Sequence, residues 1–241
     1  MTTTFNAPLP GVEQREAAWI KLQERLLRNR QVAVRPTITI SRQYGCEGNA
    51  LAARLKELLD AASGEVWTVF DKALVERVAA DENLSKDLLT RLGDESRDQD
   101  VLRSHFGYLT HDDAYAKLAK HLLQIARVGC AIVVGRGGAV LCHDLTNCFH
   151  VRLVASPAFL AEALAQRRGI PLTDAEELVR VQSRRREQFI SDNLHTDITS
   201  SRWYDAVFNN ERQSVEGMAQ ACFSLVRCGW PDAAYFKRAV S

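Results

Sequence analysis

The feature that most constrains the fold is a short β-branched run that breaks into a glycine turn and then into a helical pattern. The run is Thr37–Ile40, the turn contains Gly45 and Gly48, and leucines recur at helical spacing over Leu51–Leu59. A strand, a glycine turn and a helix are the layout of a phosphate-binding loop, because the amides and the dipole at the helix start attract anions. The alternative interpretation is an ordinary turn between a strand and a helix of an α/β domain.

The turn departs from the standard phosphate-loop signature, G-x-x-x-x-G-K-[ST]. That signature ends in a lysine that neutralises the outer phosphates and a hydroxyl that holds magnesium, whereas Gly48 and Asn49 stand at those places. Arg42 could supply the missing positive charge, or it could simply pair with a local acid such as Glu47.

The composition is that of an ordinary globular protein and provides no bulk charge for binding nucleic acid. Of the 241 residues, 46% are apolar and 25% are charged, which argues against global disorder. The 31 basic and 30 acidic residues leave a net charge of +1, so any recognition of anions must be local. We expect no membrane partner, because no apolar run is long enough to cross a bilayer and the N-terminus lacks the pattern of a secretion signal.

Six cysteines are scattered without a C-x-x-C pair, and the histidines lack the spacing of metal ligands, so we assign no metal-binding side chains. Cys46 differs from the others because it lies beside a helix start, where a lowered pKa would make its thiol reactive. We interpret Cys46 as an incidental thiol in preference to a catalytic one. The cysteine usage predicts a reducing, cytoplasmic compartment.

Strands and helices alternate along the rest of the chain. An amphipathic helix is predicted over Val12–Asn29, where it could pack on the domain or form a homodimer contact. Further strands are predicted at Val66–Phe70, Ala131–Val134, Cys148–Val154 and Tyr204–Asn209. Further helices are predicted at Lys72–Ala80, from Asp112 to Gly129, from Pro157 to Arg168, from Thr173 to Ile190 and at Ser214–Val226, with weak signals at Leu84–Leu92. This alternation implies a parallel sheet covered by helices on both faces.

Two of these helices begin with capping signals. Ser156 followed by Pro157 is a favourable helix start. Thr173–Glu176 has the pattern of a capping box, which predicts a helix that begins there.

Several motifs together resemble a known family. They are the opening Ile38–Gly45, Phe70–Lys72, Val134–Gly137, the arginines 184–186, and Tyr204–Asn209. In order and spacing they resemble the cytidylate-kinase-like family, a branch of the P-loop nucleoside monophosphate kinases, over about Thr37 to Arg227. The family opening commonly reads SRQYGSGG, so relatives also lack the standard lysine. Cys46 and Glu47 are departures, and the charge of Glu47 near a phosphate site would weaken ATP binding.

The resemblance implies a P-loop NTPase-like three-layer α/β sandwich with a five-stranded parallel sheet and a helical lid. We expect the kinase-like domain at 36–230 with its lid at about 167–192, a tail and helix at 1–35, and a C-terminal tail at 231–241. ATP with Mg²⁺ would bind the first loop, and CMP or dCMP would bind across the cleft. The ATP phosphates would contact Gly45, Cys46, Gly48 and Asn49.

Arg136 and Asp71 are the candidate acceptor-binding side chains. Arg136 lies between glycines at the carboxyl end of a buried strand, the edge where α/β sheets bind ligands. The resemblance implies that Arg136 and the adjacent Gly135 hold the acceptor phosphate, which a guanidinium can meet with two hydrogen bonds. The alternatives are a surface arginine for Arg136 and a helix cap for Asp71, which could otherwise contact the acceptor or magnesium.

The catalytic candidates are Arg42 and the arginines of the lid. Three consecutive arginines fan around a helix, so they cannot all point one way. By resemblance Arg186 is the first choice to close over the phosphates and Arg184 the second, with Arg167 or Arg168 at the entrance of the lid. A solvated basic face is the alternative. Asn209 or Asn210 could approach the adenine.

The sequence therefore predicts a kinase-like protein that transfers the ATP γ-phosphate to a nucleoside monophosphate. Three alternatives stay open. The altered loop could belong to a nucleotide-binding regulator without turnover, the same parts could phosphorylate another small acceptor, or the chain could be a partner-binding module that uses its N-terminal helix. No nucleic acid polymer is expected as a partner.

Overall fold

A five-stranded parallel sheet forms the centre of the computed structural model, which describes residues 10–28, 35–80 and 114–230. Its strands are β1 (Thr37–Arg42), β2 (Thr68–Phe70), β3 (Ala131–Val134), β4 (Cys148–Val154) and β5 (Ala206–Asn209). They are hydrogen-bonded in the order β2-β3-β1-β4-β5, with every pair parallel. The tail before Pro10, the segments Leu84–Leu92 and Asp94–Thr110, and the C-terminal tail 231–241 lie outside the described residues.

Helices cover both faces of the sheet. They are α1 (Val12–Arg28), α2 (Gly48–Ser63), α3 (Lys72–Ala80), α4 (Ala114–Val128), α5 (Gly138–Leu141), α6 (Pro157–Arg168), α7 (Leu172–Leu194) and α8 (Val215–Gly229). One core layer joins α2 and α8 to Ile38 and Ile40 of β1. The other joins α1, α3 and α4 to Phe70 and Val133. The predicted three-layer α/β fold with five parallel strands is therefore confirmed, while the predicted domain boundaries stay predictions.

The sheet order places the expected ligand edge between β1 and β3, which are neighbours in the sheet. After β1 the chain enters α2 on one face, and after β3 it enters α5 on the other face. Loops that leave to opposite faces open a crevice at the carboxyl ends of the strands. The first glycine turn and the segment around Arg136 therefore meet at one edge of the sheet.

The helix starts show where local signals succeed and fail. Ser156 caps α6 as predicted, because its hydroxyl accepts the Phe159 amide at 3.3 Å. The predicted capping box of α7 is wrong, since the helix begins at Leu172 after Pro171 and has no side-chain cap. The Thr173 hydroxyl, inside the first turn, contacts its neighbour Asp174 at 3.4 Å instead.

The predicted amphipathic helix α1 packs on the sheet edge that carries β2. Arg15 is 5% exposed and donates to the Val69 carbonyl at 2.8 Å and to Asp71 Oδ2 at 3.0 Å. Trp19 meets the Phe70 ring edge-on, with centroids 5.6 Å apart. One face of α1 is thus buried against the domain, and a homodimer contact through the helix stays a prediction. No described helix has the length and hydropathy needed to cross a membrane.

His150 is a buried, uncharged side chain in the centre of the sheet. Its Nδ1 lies 2.7 Å from the Thr39 hydroxyl, and its Nε2 has no hydrogen-bond partner. Burial lowers the pKa of His150 to about 4, although the charge of Asp205 opposes this shift. A protonated ring would bring a charge into a buried site, where Asp205 and the backbone of Cys142 compensate the cost of desolvation only in part.

We expect the protein to lose stability as the pH falls from the ordinary histidine pKa of 6.5 towards the value of about 4 for His150. In this window the unfolded chain binds a proton that the folded chain does not, so unfolding is favoured by up to about 3 kcal/mol. Urea unfolding across the window should show a steeper loss for the wild type than for His150→Asn. Equal slopes would contradict the buried neutral state.

Candidate functional site

A cleft of about 390 Å³ lies at the carboxyl edge of the sheet, between the ends of β1 and β3 on one side and α7 on the other. Positively charged side chains from four separate parts of the chain line it. They are Arg42, Lys72, Arg136, Arg185 and Arg186. The chain thus gathers cations that are distant in sequence, as a site for a strongly anionic ligand requires.

The side chain of Arg42 crosses the floor of this cleft through space that two glycines leave free. A Cβ on Gly48 would lie 3.2 Å from Arg42 Cγ and Cδ, and a Cβ on Gly135 would lie 2.2 Å from Arg42 Nη1. Gly135 also has a φ of +83°, a conformation that glycine adopts without strain. Arg42 therefore reaches from the first loop to the end of β3.

The cleft is electrostatically unfavourable for Arg42. Burial, followed by the charges of Arg186 and Arg136, lowers the pKa of Arg42 to about 10. The alternative pairing of Arg42 with Glu47 is not formed, and among the described residues no carboxylate lies within ion-pair distance of Arg42. An anion bound between these guanidinium groups would relieve their mutual repulsion.

Asn210, which directly follows the edge strand β5, is hydrogen-bonded to the first loop. Its Oδ1 accepts the Glu47 amide at 2.7 Å, and its Nδ2 donates to Glu47 Oε2 at 3.0 Å. Asn210 is 3% exposed, and its amide oxygen and nitrogen both contact Glu47. An approach of Asn209 or Asn210 to an adenine stays a prediction. Because the Glu47 amide donates to Asn210, it is not available to an anion. Helix α2 begins without a side-chain cap, so the amides of Gly48 and Asn49 are candidate anion donors.

The expected lowering of the Cys46 pKa does not occur, and the structure supports the interpretation of Cys46 as an incidental thiol. Burial raises the pKa of Cys46 to about 11, against the smaller opposing effects of the Gln43 backbone, Arg186 and Arg167. Desolvation of a thiolate outweighs the favourable helix dipole at this position.

Arginines of α6 and α7 contact the first loop. Arg186 Nη1 donates to the Arg42 carbonyl at 3.3 Å, and its guanidinium carbon lies 5.0 Å from the centre of the Tyr44 ring. Arg168 approaches the same ring at 6.0 Å, and Arg167 donates to the Gly45 carbonyl. Burial lowers the pKa of Arg186, as it does for Arg42. The loop and the predicted lid therefore meet through cations and one aromatic ring.

Arg184, the second predicted lid arginine, does not line the cleft. It is exposed and belongs to a separate groove with His195 and Asp197, whereas Arg185 lines the cleft together with Arg186. Residues 100° apart on a helix face different ways, so the rotation of α7 decides which of the three arginines enters the site.

Arg136 lies in the cleft, in a strained turn that directs its side chain. It has a φ of +57°, which is rare outside glycine, and it is flanked by Gly135 and Gly137 at +83° and +72°. Its guanidinium carbon is 5.8 Å from the centre of the Phe189 ring. Its Nη2 lies 2.5 Å from Glu76 Oε1, and the arginine side chain is 16% exposed.

Asp71 acts as a helix cap and an ion-pair partner in this structure. Its Oδ1 accepts the Leu74 amide at 3.1 Å, and its Oδ2 accepts Arg15 at 3.0 Å. It is not among the residues that line the described cleft. The geometry therefore supports the interpretation of Asp71 as a helix cap. A contact between Asp71 and an acceptor stays a prediction.

Sequence reasoning missed one residue that lines the cleft and two that contact its arginines. Lys72 directly follows the predicted strand-end Asp71, and its position was a usable signal. No local pattern predicts the contact of Glu76 with Arg136 or of Tyr44 with Arg186, because these partners come from distant parts of the chain.

One of three similar solved structures shares the fold. An uncharacterised protein from Eubacterium ventriosum ATCC 27560 is similar with a TM-score of 0.65 and 16% identity, over 80% of this chain and 99% of that chain. Shikimate kinase from Bacteroides thetaiotaomicron has a TM-score of 0.43 and 10% identity, over 80% of this chain and 98% of that chain. A gluconokinase from Sinorhizobium meliloti 1021 has a TM-score of 0.42 and 15% identity, over 86% of this chain and 99% of that chain. No curated protein matches the chain.

Residues 37–212 match the model of the cytidylate kinase-like family. The match covers more than half of the chain and contains β1 to β5, the first loop, Arg136 and the arginines of α7. The chain therefore belongs to the cytidylate kinase-like family.

Proposed function

We propose that this protein transfers the γ-phosphate of ATP to a nucleoside monophosphate, with CMP or dCMP as the favoured acceptor. The observation that carries the proposal is the convergence of Arg42, Arg136 and Arg186 on one cleft beside the uncapped start of α2. An oxygen of the acceptor phosphate would attack the γ-phosphorus, the bond to the bridging β,γ-oxygen would break, and ADP would leave. The preference for a cytosine base rests on family membership alone.

Catalysis of this reaction depends on position and charge, because the protein supplies little covalent chemistry to phosphoryl transfer. The open amides of Gly48 and Asn49 would hold the ATP phosphates, and Arg42 would take the part of the absent lysine. Arg136 would hold the acceptor phosphate. Arg186, which contacts the Arg42 carbonyl, would stabilise the charge that develops on the transferred group.

Mg²⁺ would enter bound to ATP, since it keeps several waters and is held largely by phosphate oxygens. Within residues 10–28, 35–80 and 114–230, no three His, Cys, Asp or Glu side chains are grouped to hold a metal. Ser41 on the cleft wall and Asn49 in place of the standard hydroxyl offer neutral oxygens to the ion or its waters. This donor set fits a metal that depends on its substrate, and the ion would withdraw charge from the outer phosphates.

A nucleotide-binding regulator without turnover is the second candidate, and one observation favours it. The Glu47 amide is bonded to Asn210, so the loop offers fewer donors to a phosphate than a loop with all of its amides free. Such a regulator would bind nucleotides in the same cleft and release no ADP. Phosphorylation of another small acceptor would give turnover with neither CMP nor dCMP.

Two further proposals concern the setting of the protein. All six cysteines are free thiols, which supports a reducing cytoplasm. The face of α1 that does not pack on the domain, including the 37% exposed Ile20, is the candidate surface for a homodimer.

A coupled assay of ADP release, run with MgATP and each nucleoside monophosphate in turn, tests the proposed activity. We expect turnover with CMP or dCMP. Direct calorimetry of ATP binding runs beside it, because binding without turnover identifies the regulator. If neither ADP release nor ATP binding were observed, the proposal that the cleft binds nucleotides would be contradicted.

Arg186→Ala should lower kcat roughly a thousandfold, the scale of losing an arginine that stabilises a transferring phosphoryl group. Arg180→Ala is the matched control, because Arg180 pairs with Glu177 at 2.6 Å on the exposed side of the same helix. Arg184→Ala tests the second predicted lid arginine, and its separate groove leads us to expect near-wild-type kcat. Equal losses in Arg186→Ala and Arg180→Ala would refute the role of Arg186.

Gly135→Ala should displace Arg42, because the new Cβ would lie 2.2 Å from Arg42 Nη1. Gly64→Ala is the control, since Gly64 has a φ of +65° with no atom within 4 Å of a new Cβ. Both variants should lose about 1 kcal/mol of stability in urea unfolding through backbone strain. Only Gly135→Ala should lose ATP affinity in calorimetry, and unchanged affinity would show that Arg42 does not contact the donor.

A further inference from the structure

Glu76 is an acid that lies beside the cleft and contacts two cations, Arg136 and Lys72. Its Oε1 lies 2.5 Å from Arg136 Nη2 and 4.0 Å from Lys72 Nζ. Both of these cations line the cleft. One carboxylate oxygen therefore occupies the space between two positive groups, which is where an oxygen of an anionic ligand would bind.

Helix α3 holds Glu76 in this position. The helix start is capped by Asp71, which is itself bonded to the buried Arg15 of α1. Arg77, the neighbour of Glu76, pairs with Glu16 of α1 at 2.7 Å, and Glu16 is only 12% exposed. An exposed ion pair contributes little by itself, but here the helix is anchored to α1, and Arg136 is directed by its left-handed turn.

We propose that Glu76 occupies the acceptor-phosphate position on Arg136 in the unliganded protein, and that this contact makes the site select acceptors that carry a phosphate. The inference rests on the proposed function of the cleft. An incoming ligand must replace a charge-assisted hydrogen bond that already exists. A hydroxyl group or a single carboxylate offers Arg136 no more than Glu76 does.

A phosphate offers more than Glu76 does. It brings a charge near −2 and three acceptor oxygens, so it can contact Arg136 and neighbouring cations of the cleft at once. The exposed carboxylate of Glu76, at 47%, can move into solvent when it is displaced. Glu76 thus disfavours the binding of nucleosides and small alcohols relative to monophosphates. It does so without contacting the base.

Calorimetric titration with inorganic phosphate and with acetate, at constant ionic strength and pH 8, tests this role. Glu76→Gln should bind phosphate about fivefold more tightly than the wild type and should gain measurable affinity for acetate. Glu177→Gln is the matched control for the change in net charge, because Glu177 pairs with Arg180 outside the cleft. Its phosphate affinity should equal that of the wild type.

A phosphate affinity of Glu76→Gln within twofold of the wild type, or an equal rise in Glu177→Gln, would overturn the proposal. Glu76→Asp, which keeps the charge but loses the reach to Arg136, gives the same decision if the glutamine variant folds poorly, and it should also bind phosphate more tightly. Anion binding is measured without nucleotide, so it stays distinct from kinase activity. Turnover of CMP with no effect of Glu76 would end this inference and leave the proposed function intact.

Discussion

The crowding of partly buried guanidinium groups in one cleft is the constraint on which the site depends. Arg42, Arg136 and Arg186 come from three separate elements, and burial together with the other two charges lowers the pKa of Arg42. Such an arrangement costs folding free energy, and the structure offsets it elsewhere. Gly48 and Gly135 leave space for the Arg42 side chain, Tyr44 lies beside Arg186, and Glu76 neutralises Arg136. A bound anion would complete the compensation.

The sheet order makes this convergence possible. Because β1 and β3 are adjacent and parallel, the first loop and the Gly135–Gly137 turn end at the same edge. Helix α7 closes the cleft from above, and the packing of Leu194 and Ile190 against Gly137 fixes its lower end. The N-terminal helix α1 lies outside the residues matched by the family model, yet it holds α3 through Arg15 and so contributes to the acceptor side of the cleft.

Sequence patterns predicted the parts of the site that depend on local chemistry. Apolar runs located the strands, and a charged residue between glycines at a strand end located Arg136 in the cleft. Contacts between distant elements were not accessible. The brace between Asn210 and Glu47 requires knowledge of how β5 lies relative to the first loop, and the choice between Arg184 and Arg185 depends on the rotation of α7. For Cys46 the sequence showed the helix dipole but not the burial that outweighs it.

The most direct measurement is calorimetric titration of the wild type and Arg42→Gln with tripolyphosphate at several salt concentrations. Tripolyphosphate carries the charge of the ATP phosphates without the base, so it reports on the cations of the cleft alone. The account predicts one binding site, an affinity that falls as salt screens the cations, and at least about a tenfold weaker affinity in Arg42→Gln. No saturable binding, or equal affinity in the two proteins, would contradict it.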